Sequence, residues 1–125
     1  MTDTYVLRPA IVLAGLMGAG GVALAATAAH VPDSAQLGTA SSMLLFHAAA
    51  VVGAALLTVH GLVQRPLGLA ATYGFIAGVV LFAGDLTLRQ YTGHRLFPMA
   101  APTGGTTTIL SWLALALSAA WPRRK

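Results

Sequence analysis

Four long apolar runs, separated by prolines and short polar links, constrain this chain more than any other feature. They are "PAIVLAGLMGAGGVALAATAAH" (about 9–30), "ASSMLLFHAAAVVGAALLTVHGLV" (about 40–63), "PLGLAATYGFIAGVVLFAGDLTL" (about 66–88) and "PTGGTTTILSWLALALSAAW" (about 102–121). A helix that crosses a bilayer needs roughly 20 apolar residues, and each run supplies them. None shows the period-two alternation of a half-buried strand. Pro9, Pro66 and Pro102 fall where helices should begin, a place that needs no amide donor. Thr39 or Ser41 is placed to cap the second helix. The link near "QR" is so short that the second and third helices must pack antiparallel.

Charge supports the same reading. Of 125 residues, 57% are hydrophobic and only 8% charged, against about 25% charged in soluble domains. So few charges cannot coat a surface in water, which leaves lipid as the expected solvent. The expected architecture is one transmembrane domain, 1–125, an all-α four-helix bundle. Lys and Arg outnumber Asp and Glu seven to three, and the pI is about 10.4. Apart from the final "RRK" the basic residues are scattered singly. They read as topology signals at membrane interfaces, and no nucleic-acid partner is expected. Arg8, Arg65, Arg123, Arg124 and Lys125 fall on one side, Arg89 and Arg95 on the other, so both termini are expected in the cytoplasm. Tyr5 and Trp121 would then anchor the cytoplasmic interface. The first run looks partly like a secretory signal, but its apolar core exceeds the ~7–15 residues of such signals, so retention is expected. The chain has no cysteine, which excludes disulfides and thiolate metal sites.

Burial against lipid gives helices no net reason to associate, so small residues should mark their contacts. Ala14, Gly18, Gly21 and Ala25 form one stripe on the first helix. Gly74 and Gly78 form a GxxxG pair on the third, either for a second copy of the chain or for a neighbour within the bundle. Asp85, seven residues after Gly78, shares that face and should point into protein.

The polar residues inside the runs are the candidate site. A charge at mid-membrane costs ~2.5–3.5 kcal/mol on insertion scales, so Asp85 calls for a partner. Arg89 stands at i+4, the spacing that brings helix side chains together. His47, on a stripe with Ala50, Ala54 and Gly61, reads either as a hydrogen-bonded neutral histidine or as an acid–base group. "APTGGTTT" places Thr103, Gly104, Gly105 and Thr106 at a helix start, where amides lack partners and anions are favoured. With alternating helix directions, His30, His47, Asp85, Arg89 and Thr103 to Thr106 should converge as one polar cluster in the outer half. His60 and His94 read as interfacial or loop residues.

At these residues the chain resembles a known family. "GGVALAATAAH", "SSMLLFHAAAVV", "GFIAGVVLFAGDL" and "APTGGTTTILSWLALA" follow, in order, the pattern of the small bacterial inner-membrane proteins of domain of unknown function 423, related to transmembrane protein 256. The first stretch departs from the family's "GAFGAH", and serine often stands in the family where this chain has Asp85. The resemblance implies a four-helix, multi-pass protein of the bacterial inner membrane and supplies no reaction. The expected role is a non-enzymatic accessory, assembly or lipid-interacting component. Its partners would be the lipid bilayer and either itself or another membrane protein. No residue is assigned a catalytic role, and no cofactor or metal is expected. The main alternative is a small oligomeric transporter or channel. Small multidrug transporters have this size but use a glutamate in helix one, and this chain has no Glu. An intramembrane enzyme using His47 and Asp85, or a haem anchor between two histidines, are weaker alternatives.

Overall fold

The computed structural model describes residues 2–121, with side chains described from Thr4 onward. It contains four helices: α1 (Thr2–His30), α2 (Ala35–Val59), α3 (Arg65–Thr92) and α4 (Ala100–Ala120). No strand occurs among the described residues. Arg123, Arg124 and Lys125, which carry much of the charge asymmetry, lie outside them.

Several helix ends differ from the sequence reading. α1 starts upstream, which puts Pro9 inside the helix. The proline deprives the Tyr5 carbonyl of its helical donor. The next carbonyl, that of Val6, accepts a further bond from the Tyr73 hydroxyl of α3, which ties the two helices together there. α2 starts at Ala35, five residues before the expected start, and neither Thr39 nor Ser41 caps it. Ala35, Gln36 and Leu37 are adequate helix formers and extend the helix backwards. Ser34 takes the N-cap position without a capping bond and donates instead to Ala28 O at 2.7 Å. Ser41 donates to Gly21 O of α1 at 2.7 Å. α3 opens with Pro66 in its first turn, as the sequence suggests. It runs on to Thr92 and stops at Gly93, whose φ of 73° suits the left-handed cap. α4 begins at Ala100, two residues before Pro102.

α3 is the central element. It packs against α2 on one side and α4 on the other, while α1 packs mainly on α2. Consecutive helices joined by short links run antiparallel. Links 31–34 and 93–99 therefore share one end of the bundle, and link 60–64 lies at the other. There the Gln64 amide donates to Ser118 O at 3.2 Å and ties the turn to the end of α4.

Three helices are long and apolar enough to cross a membrane: Thr4–His30, Ala35–Val59 and Arg65–Thr92. α4 is not among them, because its first turns carry threonine and glycine. Its 21 residues still extend roughly 30 Å at the helical rise.

The core is apolar, with Phe75, Leu37, Val51 and Val79 fully buried, but it also encloses polar groups, and the outside is apolar too. Ser41, His47, Thr58, Thr72, Asp85, Thr108, Ser111 and Ser118 are buried. Ile11, Val12, Leu16, Phe46, Ile109, Leu110 and Leu113 are exposed. No buried side-chain nitrogen or oxygen among the described residues lacks a hydrogen-bond partner. Many hydroxyls donate to the carbonyl one turn back: Thr58 to Ala54, Thr72 to Gly68 and Thr108 to Gly104. That bond hides a hydroxyl without help from another helix.

The seams use the small residues. Gly78 and Gly104 face each other across the α3–α4 crossing. A Cβ on Gly78 would lie 2.8 Å from Gly104 O, and one on Gly104 would lie 2.6 Å from Gly78 O. Gly74 sits against Ser111 in the same seam. The GxxxG pair thus contacts a neighbour within the bundle. On α1, Gly21 is pressed against Leu44 and Leu45 of α2, and a Cβ there would lie 2.8 Å from Leu45 Cγ. Gly18 leaves ordinary contact distance, 3.8 Å, to Ala48. The stripe ends there, since Ala25 is exposed.

Candidate functional site

The polar residues fall into two separate constellations. The first is a clasp at the 93–99 end. Asp85 is buried, with 0% of its surface exposed. Its Oδ2 accepts from Arg89 Nε at 3.0 Å and from Arg89 Nη2 at 2.5 Å. Its Oδ1 accepts from the Leu96 amide at 2.9 Å. One carboxylate therefore holds a guanidinium on its own helix and the backbone of the following link. Charge-assisted bonds of this kind are the strong ones. The guanidinium side of the pair remains 23% exposed and can reach toward headgroups.

The second constellation lies near mid-bundle and joins three helices. His47 is buried. Its Nδ1 lies 2.8 Å from Met43 O, and its Nε2 lies 3.1 Å from Trp112 Nε1 of α4. The indole can only donate and the carbonyl can only accept. The imidazole is therefore the neutral tautomer with its proton on Nδ1. Both ring nitrogens are engaged, which leaves no free lone pair for a haem iron. Phe75 of α3 completes the group. Its ring centroid is 4.7 Å from that of Trp112, at 63°, and 5.7 Å from that of His47. Edge-on aromatic packing of this kind adds to simple burial.

The expected single cluster is thus divided. The bonds of Asp85 go to Arg89 and Leu96, and those of His47 go to Met43 and Trp112. Depth explains the separation. Because α2 begins at Ala35, His47 lies twelve residues in, about 18 Å from that end at the helical rise. His30 is exposed at the end of α1. Thr103 and Thr106 are also exposed and line a shallow hollow with Met99, Pro102 and Thr107. Gly104 is in the α3–α4 seam, and Gly105 leaves ordinary room, 3.8 Å, to Phe82. Among the described residues, no group of three His, Asp or Glu side chains is placed to hold a metal ion.

Sequence reasoning missed Leu96, Phe75 and Trp112. The Leu96 amide carries no side-chain signal. Trp112 had one: a tryptophan away from the interface, whose indole N–H calls for an acceptor in lipid.

No curated protein and no solved structure matches the chain at a significant level. The family model for protein of unknown function DUF423 matches residues 23–105, from the second half of α1 to the first turns of α4. That span is more than half of the sequence and contains the whole Asp85 clasp and His47, so the chain belongs to the DUF423 family.

Proposed function

We propose that this protein is a multi-pass component of the bacterial inner membrane, non-enzymatic, with lipid as its principal partner. α4 is the fourth span, and both termini face the cytoplasm. The observation that carries this reading is the surface: large apolar side chains cover the outside as well as the core, while the hydroxyls, histidine and carboxylate within are buried with their bonds satisfied. Such a surface suits hydrocarbon, where every polar group must be satisfied internally. A non-enzymatic role is supported by the state of the two polar groups. Asp85 is occupied with Arg89 and Leu96, and His47 with Met43 and Trp112. Neither presents a free base to a substrate. The 93–99 end is then periplasmic and the 60–64 end cytoplasmic, in line with the excess of Arg and Lys at the latter.

The chain lacks cysteine, so single cysteines report topology cleanly. Replacements at Asp33 and Lys125 should react with an impermeant thiol reagent from opposite faces of the membrane. Labelling from the same face would overturn the four-span topology. Purified protein in liposomes should leave a proton gradient intact; dissipation of the gradient would favour a transporter instead.

A further inference from the structure

A groove runs along α3 beside the clasp. Val80, Ala83, Gly84, Thr87, Leu88 and Tyr91 line it. Their spacing of three and four places them on one helix face for roughly 16 Å. Leu44 of α2 forms the other wall, and Leu96 of the 93–99 link closes the end. The volume is about 460 Å³, within the ~300–1,000 Å³ of small-ligand sites. The lining is apolar in practice, because the Thr87 hydroxyl donates to Ala83 O at 2.7 Å. Gly84 is its floor: a Cβ there would meet only Leu96 Cδ1, at 3.8 Å.

The closed end is cationic. Asp85 fixes Leu96 through the amide and draws in Arg89. Arg95, immediately before Leu96, is exposed. Arg95 acts electrostatically on Asp85, so two guanidinium groups face one carboxylate at this link. Asp33 lies at the same end of the bundle, but on the link between α1 and α2 rather than at the α3 wall of the groove. A long apolar groove parallel to a membrane-spanning helix, with excess positive charge at the helix end, matches an amphiphile with an anionic head. We propose that the groove holds one acyl chain of an anionic phospholipid, with the headgroup phosphate against Arg95 and the exposed edge of Arg89. This rests on the reading above that lipid is the principal partner.

Native mass spectrometry of the full chain, released from micelles containing palmitoyl-oleoyl phosphatidylglycerol or phosphatidylcholine, tests the assignment. Wild type should retain one phosphatidylglycerol, about fivefold more than phosphatidylcholine, the ratio given by roughly 1 kcal/mol for one basic residue, Arg95, since Arg89 is already paired with Asp85. Gly84→Leu fills the groove from its floor and should lose the retained lipid of either kind. Thr87→Leu fills the same groove from a neighbouring position and should do the same, whether or not Gly84→Leu folds. Arg95→Ala should retain one lipid without preference for the anionic head. Undiminished retention of phosphatidylglycerol by folded Gly84→Leu and Thr87→Leu overturns the groove. Equal retention of the two lipids by wild type overturns the headgroup assignment. A dimer that these groove-filling variants abolish would assign the groove to a second copy of the chain. In each case the thiol-labelling topology and the intact proton gradient stand or fall separately, so failure of the groove is distinguishable from failure of the membrane reading.

Discussion

The clasp at Asp85 and the His47–Trp112–Phe75 group solve the same problem with different chemistry. Both place polar atoms inside a bundle whose surface is apolar. The clasp is charged and local: Asp85 and Arg89 are one turn apart on α3, and Leu96 follows in the next link. The aromatic group is neutral and long-range, joining α2, α3 and α4. Position accounts for the difference. Near a helix end, a guanidinium can keep one edge toward the headgroups, so the pair is not fully desolvated. Near mid-bundle no such escape exists, and a fixed tautomer with two partners avoids net charge. The two regions should therefore respond differently to perturbation.

The largest effect is expected at the clasp. Asp85→Leu removes the acceptor of a link amide and leaves Arg89 without its counter-charge. Breaking a fully buried pair costs ~3–5 kcal/mol, and the partial exposure of Arg89 reduces this to about 2–3 kcal/mol. Unfolding in mixed micelles, followed by helix circular dichroism, reads it directly. Asp85→Asn keeps an oxygen for the Leu96 amide and should recover about half. If Asp85→Leu is as stable as wild type, the clasp holds nothing and the comparison collapses.

Gly78→Leu should separate the two regions rather than damage both. The new Cβ would lie 2.8 Å from Gly104 O and 2.9 Å from the Thr108 amide nitrogen, so α4 must move away from α3. A cost of ~1–3 kcal/mol is expected for overpacking of this kind. Trp112 should lose His47, visible as a shift in tryptophan emission. Protection of the Leu96 amide from hydrogen exchange should survive, because Asp85 and Leu96 both lie before the displaced helix. Loss of both signals together would mean that the clasp depends on α4.

Trp112→Phe keeps an aromatic ring beside Phe75 and removes only the indole donor. About 1 kcal/mol is expected, the usual net value of one hydrogen bond. A double-mutant cycle with His47→Leu should give a coupling near ~0.6 kcal/mol, the average for polar contacts between membrane helices. Zero coupling would reduce the pair to simple packing.

The smallest effect belongs to Arg89→Lys. The ammonium keeps the charge but cannot offer the two nitrogens that Arg89 places on one oxygen of Asp85. A loss of about 0.5 kcal/mol fits a pair at a partly exposed site. A loss as large as that of Asp85→Leu would mean that the geometry of the fork, rather than charge, sets the clasp.

The sequence by itself determined the helices, the solvent they suit and the small residues between them. Run length and the scarcity of charge are one-dimensional properties, and hydrophobic transfer acts on them residue by residue. The i,i+4 spacing of Asp85 and Arg89 was legible for the same reason: one helical turn is fixed by backbone geometry. The tertiary structure decided what lies far apart in the chain. α2 starts at Ala35, which sinks His47 below the depth read from a start at 40 and removes it from the Asp85 neighbourhood. Trp112 reaches His47 only because Gly78 and Gly104 let two backbones touch, a relation between residues with no local mark. The Leu96 amide became a ligand of Asp85 because the 93–99 link folds back over the end of α3. A backbone N–H is the same in every residue but proline, so only the path of the chain could say which one the carboxylate would find.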